Sequence, residues 1–400
     1  MKGIAIVAQT GGPTSVINSS LAGIISQCLK EENVEQVWGC HFGMKGLLEE
    51  DFIDLTEAPI ELLQQTPGSA LGSSRIKLKT ENMPRVLEVF KKYNIRYFFG
   101  IGGDDTQLNV YQVEKYCKEQ GYDLGGMGCP KTVDNDLPLT DHTPGFPSAA
   151  RYTALSVFQG GRLTQDMQKV DQFVIYQTIG RSAGWLAAAP YGFKEKESDP
   201  PHIVLIPERP FNEDKFVEFF KECYDKYGFV SIICGEGVTD EDGNAVSATK
   251  VKDDFGNREF GAMGGVSVGM EIHKIIAKHF PDMRGEFQVT ESLPMCADDR
   301  VVDVDRKEAF ELGAKAVEFA AGGETGYMTV IERIDGTEYN TTIGKVPLCD
   351  VGGKQKPIPD KYIAPNGMNM TPAFKDYICP LLGKKPEYAD LDVLKKVEKK

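Results

Sequence analysis

Four short segments carry acidic, basic or hydroxyl side chains at a spacing that suits phosphate chemistry, and three of them contain glycine. The first, residues 10–18 (TGGPTSVIN), contains the adjacent glycines Gly11 and Gly12. Adjacent glycines let backbone amides approach a ligand closely, and the start of a following helix adds its positive dipole end. The segment predicts an anion-binding turn, with an ordinary strand-to-helix turn as an equally good explanation.

The second segment, residues 99–106 (FGIGGDDT), places Asp104 and Asp105 directly after two glycines. Glycines admit a phosphate chain against the backbone, and a carboxylate at that point can hold Mg²⁺, which prefers oxygen ligands and bridges phosphate oxygens. Asp and Thr also cap helix starts by accepting hydrogen bonds from free amides. Two carboxylates after two glycines favour the functional interpretation over capping.

The third segment, residues 129–136 (CPKTVDND), contains Lys131, Thr132, Asp134 and Asp136. A carboxylate beside a lysine is equipped to accept a hydroxyl proton while the ammonium neutralises a departing phosphate. An Asx-rich turn explains the same loop equally well.

The fourth segment, residues 178–184 (TIGRSAG), places Arg181 at the start of a predicted helix. A guanidinium in that position is well placed to form hydrogen bonds with an oxyanion. By itself this signal is weak, because a single arginine at a helix start is commonly a surface residue.

Apolar runs alternate with helical patterns along the chain and must position these segments. Continuous apolar strands followed by amphipathic helices are typical of parallel sheets covered on both faces, so both halves are predicted to be doubly wound α/β. Ligands bind such folds at the carboxyl ends of the strands, which is where the four segments fall. The predicted strands are residues 4–8, 97–101, 122–127, 173–176, 203–206, 230–234 and 327–331. The predicted helices begin near Asn18 and cover residues 106–119, 182–189 and 306–321.

Length and charge limit the function. A chain of 400 residues exceeds what one core usually organises, so two lobes are expected. Its 45 Lys and Arg against 59 Asp and Glu give a net charge of -14, which argues against a nucleic-acid binder. No run approaches the roughly 20 apolar residues of a membrane span. Any anionic ligand must therefore be held by local chemistry.

The cysteines and the chain ends indicate a cytoplasmic enzyme. Nine cysteines are scattered without a CxxC pair, as expected of reduced thiols. The amino terminus is typical of a first strand and not of a secretion signal. Residues 239–256 are predicted to form a long loop, and residues 395–400 a frayed helix or tail.

The order of the motifs GGP, GGDDT, PKTVDND, IGRSAGW and GEG resembles the phosphofructokinase A family over residues 11–383. The resemblance implies two Rossmann-like lobes with the active site in the cleft between them. It assigns residues 1–145 with about 291–345 to a donor lobe. Residues 146–290 with about 346–400 would form the acceptor lobe and a C-terminal extension.

The resemblance also implies roles for individual residues. Asp134 is similar to the general base that deprotonates the acceptor hydroxyl, and Asp104 to the Mg²⁺ contact. Arg181 falls in the acceptor-binding turn, from which it also reaches the transferring phosphate. Donor contacts would be Gly11, Gly12 and Arg75, and the acceptor would contact Thr132, Asp134, Asp136, Ile179, Gly180, Arg181 and Glu236.

Two positions favour diphosphate over ATP as the donor. ATP-dependent members of the family usually have glycine at the positions that match Asp105 and Lys131. An Asp105 carboxylate would occupy the space of a nucleotide α-phosphate and repel its charge, whereas a two-phosphate donor ends short of it. Lys131 adds a cation beside the departing phosphate, so both residues are assigned to the catalytic set.

The acceptor is less well defined by the sequence. The family grips the 6-phosphate of fructose 6-phosphate with basic residues, but the matching positions hold Gln172, Ser292 and Met295. Arg284 and Arg300 lie close by and would substitute if the loop is shifted. The acceptor is therefore fructose 6-phosphate gripped differently, another sugar phosphate, or an unphosphorylated sugar or polyol.

The leading hypothesis is a reversible, Mg²⁺-dependent glycolytic phosphotransferase that uses diphosphate and fructose 6-phosphate. An ATP-dependent kinase is the alternative if Asp105 points away, and a noncatalytic phosphate sensor would have no need for Asp134. NAD and lipid kinases share the GGD turn but should lack PKTVDND. The family's sites often borrow residues across a subunit interface, which implies a homo-oligomer.

Overall fold

The structure is a computed structural model that describes residues 1–74, 76–247, 267–336 and 338–389, with Leu394 and Val397. The strands are β1 (Gly3–Gln9), β2 (Val34–Cys40), β3 (Phe52–Asp54), β4 (Ile95–Gly102), β5 (Gly125–Pro130), β6 (Phe173–Thr178), β7 (Ile203–Leu205), β8 (Val230–Gly235), β9 (Gly285–Val289), β10 (Tyr327–Arg333) and β11 (Thr341–Pro347). The helices are α1 (Ile17–Cys28), α2 (Met44–Glu49), α3 (Ile60–Gln65), α4 (Met83–Tyr93), α5 (Asp104–Glu119), α6 (Phe146–Asp166), α7 (Trp185–Ala188), α8 (Glu213–Tyr227), α9 (Val268–His279), α10 (Asp303–Ala321) and α11 (Pro372–Leu382).

The strands form two sheets, which confirms the predicted α/β fold. The larger has the order β11-β10-β5-β4-β1-β2-β3, and the smaller the order β7-β8-β6-β9. All seven residues of β1 and all six of β6 are buried, as expected of inner strands covered on both faces. The smaller sheet is parallel throughout.

Each edge of the larger sheet contains an antiparallel pair, which the doubly wound pattern did not predict. There β2 pairs with β3 and β10 with β11 in antiparallel register. The short helix α2 lies between β2 and β3, and residues 334–340 separate β10 from β11, so neither antiparallel pair needs the long crossover connection of a parallel pair. The inner strands β2, β1, β4 and β5 are mutually parallel, and β1, β4 and β5 carry the first three segments.

Helix α6 leads from the larger sheet to the smaller, and the sequence analysis did not identify it. It follows the PKTVDND loop and packs against β6 and β8. Helix α10 packs closely against α1, because Gly23 and Gly313 lie at their contact. A methyl group on either glycine would lie 2.1 Å from a carbonyl oxygen of the opposite helix. This contact fixes α10, which also packs against β5 and β10 of the larger sheet.

Other predicted boundaries are adjusted. The helix predicted over residues 182–189 is only α7, and the strand predicted over 122–127 begins and ends later, as β5. The loop prediction for 239–256 is described only to residue 247, and of the tail 395–400 only Val397 is described. The larger sheet takes its strands from residues 3–130 and 327–347 and the smaller from 173–289, while the lobe boundaries stay a prediction.

Among the described residues, no helix is both long and apolar enough to cross a membrane.

Candidate active site

Three of the four predicted segments meet at one edge of the larger sheet. Residues 10–18 follow β1, residues 103–106 follow β4, and residues 131–136 follow β5, and these strands are parallel neighbours. A hydrogen bond between the hydroxyls of Thr10 and Thr106 ties the first turn to the second. The amide of Lys131 donates to the Gly102 carbonyl at 3.1 Å and ties the second turn to the third.

Lys131 lies buried beneath the first glycine turn, with 3% of its surface exposed. Its Nζ donates to the Gly12 carbonyl at 2.5 Å. Gly11 has a φ of +78°, which favours glycine, and a methyl group there would lie 3.4 Å from the same Nζ. Burial lowers the pKa of Lys131 to about 8, against the opposing charges of Asp134, Asp136 and Asp104. The Lys131 ammonium therefore contacts the first glycine turn and also interacts with these three carboxylates.

Asp104 and Asp105 are the first two residues of α5. Asp105 forms a 2.9 Å ion pair with Lys77, and both side chains are about half exposed. Burial raises the pKa of Asp104, and the negative charge of Asp105 adds to this, while Lys77 and Arg181 lower it. Lys77 therefore belongs to the same electrostatic cluster, although the sequence analysis did not select it.

The PKTVDND loop is held rigidly around Asp134. The Asp134 amide donates to Thr132 Oγ1 at 3.1 Å. Asn135, fully buried and with a φ of +55°, donates to the Tyr377 hydroxyl at 3.1 Å and accepts from the Thr143 amide at 3.1 Å. Asn is one of the few residues other than glycine that adopts this left-handed conformation readily. The loop is thus fixed on both sides of the predicted base.

The carboxylates of this loop are held above their usual pKa. Burial is the main cause for Asp134, and the charges of Asp136 and Glu236 add to it, while Arg181 and Lys131 lower the pKa. Burial also raises the pKa of Asp136, with a contribution from Asp104. Such crowding of like charges in a low dielectric indicates a site designed to bind positive charge or to move a proton.

The fourth segment and Glu236 meet at the carboxyl ends of β6 and β8 in the smaller sheet. Gly180, with a φ of +124°, donates its amide to Glu236 Oε1 at 3.2 Å. Burial raises the pKa of Glu236 to about 7. A methyl group on Gly237 would lie 1.8 Å from the Arg181 carbonyl oxygen, so this glycine allows the two turns to touch. Ile179, beside them, is partly buried against an apolar core.

Arg181 connects the two sheets electrostatically. Its side chain is exposed, and its positive charge lowers the pKa of Asp104, Asp134 and Glu236. These three carboxyl groups come from the second, third and fifth motifs. The guanidinium is thus near carboxylates of both sheets, in a position to contact an anion between them.

The donor atoms of this cluster fit a hard cation such as Mg²⁺. Asp104 is partly exposed at the start of α5, close enough to Asp136 that its charge raises the Asp136 pKa. No group of three or more His, Cys, Asp or Glu in the described part of the chain is arranged to hold a metal ion alone. Mg²⁺ commonly uses one or two carboxylates and completes its shell with water and substrate phosphates, so Asp104 fits this role.

Gln172, Arg284 and Arg300 make their hydrogen bonds outside the acceptor turn. Gln172 precedes β6 and pairs with the backbone of Arg284, which precedes β9. Both therefore lie at the amino ends of these strands, about 20 Å along β6 from the Ile179 turn. Arg284, the conditional substitute for the family's basic residues, therefore does not lie beside the Ile179 turn of its own chain, and neither does Gln172. Arg300 also turns away and donates to Tyr152 and Ser156 of α6.

Met295 lies beside the first glycine turn. A methyl group on Gly12 would lie 2.5 Å from Met295 Cε, and Ser15 Oγ donates to the Met295 carbonyl at 3.3 Å. Ser292 is exposed in the same segment. Arg75, the predicted donor contact, lies outside the described residues.

Lys356 is a further cation that the sequence analysis missed. Its Nζ donates to the carbonyls of Thr140 and Asp141 at 3.0 Å, and its amide donates to the Asp136 carbonyl at 2.6 Å. Burial lowers its pKa to about 8. No motif marks this residue, because it arrives from a distant segment near the carboxyl end.

Parallel strand ends that carry glycine turns, a buried lysine and crowded carboxylates define an α/β protein of the phosphate-binding, doubly wound class. The chain belongs to the phosphofructokinase family, because the family model described as phosphofructokinase matches residues 4–320. This agrees with the resemblance inferred from the five motifs.

Individual relatives cover nearly the whole chain. A pyrophosphate–fructose 6-phosphate 1-phosphotransferase of Rhodospirillum rubrum is 39% identical over 395 residues, covering 96% of this chain and 95% of the relative. A sulfofructose kinase of Alkalicoccus urumqiensis is 31% identical, covering 89% of this chain and 91% of the relative. The crystal structure of a pyrophosphate-dependent phosphofructokinase from Nitrosospira multiformis has a TM-score of 0.87 and 32% identity, covering 97% of this chain and 94% of that one.

Proposed function

We propose that this protein transfers a phosphoryl group from diphosphate to the 1-hydroxyl of fructose 6-phosphate, with Mg²⁺ as cofactor. Several relatives at 31–39% identity over most of the chain carry the corresponding name. The single observation that carries the proposal is the position of Lys131. A buried ammonium beneath Gly11 and Gly12 supplies the positive charge that a compact, highly anionic donor requires.

The donor would lie along the turns after β1 and β4. The glycine turn offers backbone amides, and Lys131 offers a fixed cation on the side of the departing phosphate. Asp104 would hold Mg²⁺, which supplies charge neutralisation and alignment of the two phosphates when it is bound. The Lys77–Asp105 ion pair stands beside Asp104 and limits the length of the donor.

On the acceptor side, Asp134 would accept the proton of the attacking hydroxyl. The Asp134 carboxylate must be ionised to accept this proton. The positive charges of Lys131 and Arg181 favour the ionised form, whereas burial and the negative charges of Asp136 and Glu236 disfavour it. Glu236 and the Gly180 amide would orient the sugar, and Arg181 would reach the transferring phosphate. Phosphoryl transfer needs mainly position and charge, which this set provides.

A second acceptor class is favoured by the side chains of the second sheet. The described chain has Gln172, Ser292 and Met295 where the family resemblance places basic residues, and Arg284 and Arg300 are directed elsewhere. A relative is named a sulfofructose kinase. An acceptor whose anionic group is not a phosphate, or an unphosphorylated sugar or polyol, is therefore the alternative to fructose 6-phosphate.

The function is tested by incubating the purified chain with MgCl₂ and either diphosphate or ATP. The acceptors are fructose 6-phosphate, fructose and other sugars and polyols, and phosphorus NMR follows the products. We expect a new phosphomonoester signal with diphosphate and fructose 6-phosphate, and its loss when EDTA removes Mg²⁺. Absence of transfer from diphosphate to every acceptor would refute the proposal, whereas transfer to fructose alone would correct only the acceptor.

Donor choice is tested at Asp105. We expect Asp105→Gly to raise kcat/KM for ATP at least about tenfold, because it removes a carboxylate that repels a longer phosphate chain. Asp105→Asn keeps the size of the side chain and removes only its charge, so it should give a smaller gain. An unchanged ratio of ATP to diphosphate activity in both variants would show that Asp105 does not select the donor.

We also place this activity in the cytoplasm, in a homo-oligomer that runs the reaction reversibly in glycolysis. Support for the compartment comes from the cysteines, since all nine are free thiols and most are buried.

A further inference from the structure

His142 lies six residues after the PKTVDND motif and is fully buried. Its Nδ1 is 2.9 Å from Asp141 Oδ1, and its Nε2 is 2.8 Å from Glu308 Oε2 in α10. Glu308 also accepts hydrogen bonds from Tyr339 at 2.6 Å and Thr341 at 2.9 Å. Asp141 accepts from Arg333 at 2.8 Å. Neither the motifs nor the proposed chemistry uses this cluster.

The geometry specifies the charge of the imidazole. Ionised carboxylates only accept hydrogen bonds, so both ring nitrogens must donate, and only the imidazolium does this. Burial lowers the pKa of His142, but the hydrogen bonds and charges of Asp141 and Glu308 outweigh it and raise the pKa. Arg333 supplies a second positive charge, so two cations balance two anions. The result is a charge-assisted bridge in a dry environment, where such bonds are short and directional.

The His142 bridge joins α10 to residues 143–144, which lie against the loop that carries Asp134. Thr143, the next residue, donates its amide to Asn135 Oδ1 at 3.1 Å and its hydroxyl to the Thr132 carbonyl at 2.8 Å. The Thr132 amide donates to the Pro144 carbonyl at 3.3 Å. Residues 132–135, which contain Asp134, are therefore laid directly on residues 143–144.

Helix α10 holds the other end of this segment as well. Asp305, fully buried and one turn before Glu308, accepts from the Gly145 amide at 2.9 Å and from the Ser148 hydroxyl at 2.6 Å. The Glu308 and Asp305 carboxylates of α10 thus bind the chain at His142 and at Gly145, on either side of Thr143. Movement of His142 away from Glu308 would rotate this segment and carry the base loop with it.

We propose that His142 is a positioning residue: by bridging Asp141 and Glu308, it fixes residues 143–144 against α10 and thereby sets the direction in which Asp134 faces the acceptor hydroxyl. The inference rests on the proposed function, because it assigns His142 an effect on the base. His142 itself touches neither substrate nor metal. Its contribution should therefore appear in kcat and not in the KM of either substrate.

The experiment compares His142→Asn with the double variant His142→Asn/Glu308→Gln. The single variant leaves a buried carboxylate without its imidazolium, so it should lose both stability and kcat. The double variant removes that unpaired charge, and we expect its melting temperature to recover. Its kcat should stay about 10- to 100-fold below the parent value, since the bridge is still missing and small misplacements are costly in catalysis. KM for diphosphate and for the sugar should change by less than about threefold.

His279→Asn is the matched control, because His279 pairs with Glu213 at 2.9 Å on the outer helices of the smaller sheet. It should leave kcat unchanged. Recovery of kcat together with melting temperature in the double variant would overturn the inference and leave His142 a purely stabilising residue. If His142→Asn alone does not fold, the kcat of the double variant still decides whether His142 positions the base. If Asp134→Asn keeps its turnover, the assignment of the base fails instead, so the two failures are distinguishable.

Discussion

Asp134→Asn is expected to lower kcat by about 10²- to 10⁴-fold, the usual contribution of a general base. The amide keeps the size of the side chain and cannot accept the hydroxyl proton. The loop that carries residue 134 is fixed by hydrogen bonds that do not involve the carboxylate: the Asp134 amide donates to Thr132 Oγ1, and Thr143 donates to Asn135 Oδ1 and to the Thr132 carbonyl. The melting temperature and the KM for diphosphate should therefore stay close to those of the parent chain. Steady-state kinetics and thermal unfolding measure both.

The pH dependence of the parent chain provides a second measurement. Burial raises the pKa of Asp134, so activity should be lost as pH falls through a value above the usual range of aspartate. Asp136→Asn is the matched variant, because it removes a neighbouring negative charge from the same loop. It should lower the Asp134 pKa and move the acidic limb of kcat/KM to lower pH while turnover persists. Turnover of Asp134→Asn within tenfold of the parent would remove Asp134 as the base.

Much of the fold was predictable because its inner strands are apolar throughout. A strand covered on both faces has no polar alternation, and the glycine turn that follows it marks its carboxyl end. Strands β2, β3 and β11 were not predicted, since they are partly exposed and lack such a run, so both antiparallel pairs were missed although β10 was predicted. Helix α6 was not predicted, although its apolar residues have helical spacing, because it does not begin directly after a strand.

The site was predictable where its residues follow strands and unpredictable where they come from distant segments. Asp104, Lys131 and Asp134 fall at adjacent strand ends, so parallel topology alone brings them together. Lys77 and Lys356 have no motif, and only the folded chain shows that they reach the same cluster. Lys77 is recognised by its ion pair with Asp105 and Lys356 by its burial, and neither property can be read from the sequence.

The position of Gln172 at the far end of its strand had a signal in the sequence. A residue that precedes a parallel strand lies at the amino end of that strand, and catalytic turns lie at the carboxyl end. Gln172 comes before β6 and Ile179 after it, so strand direction separates them by the length of the strand. The same rule applies to Arg284 and β9. The bridge from His142 to Glu308 had no such signal, because 166 residues separate its partners.

Replacing Lys131 with methionine is expected to reduce kcat/KM for diphosphate by about 10²- to 10³-fold. The ammonium lies beneath the donor turn with its Nζ 2.5 Å from the Gly12 carbonyl, and preorganised charge in a dry site is worth several kcal/mol to a transferring phosphate. Methionine fills the same apolar volume without the charge. The variant should bind the sugar with a KM close to that of the parent.

The pH profile makes the test specific. Burial lowers the pKa of Lys131 to about 8, so in the free parent protein kcat/KM for diphosphate should fall as pH rises above about 8 and the cation is lost. Lys131→Met has no proton to lose there, and the basic limb should disappear. Lys194 is the matched control, because burial also lowers its pKa to about 8 but its Nζ donates to the carbonyls of Glu197 and Pro201. Lys194→Met should lower the melting temperature and retain the basic limb, and persistence of that limb in Lys131→Met would assign it to another group.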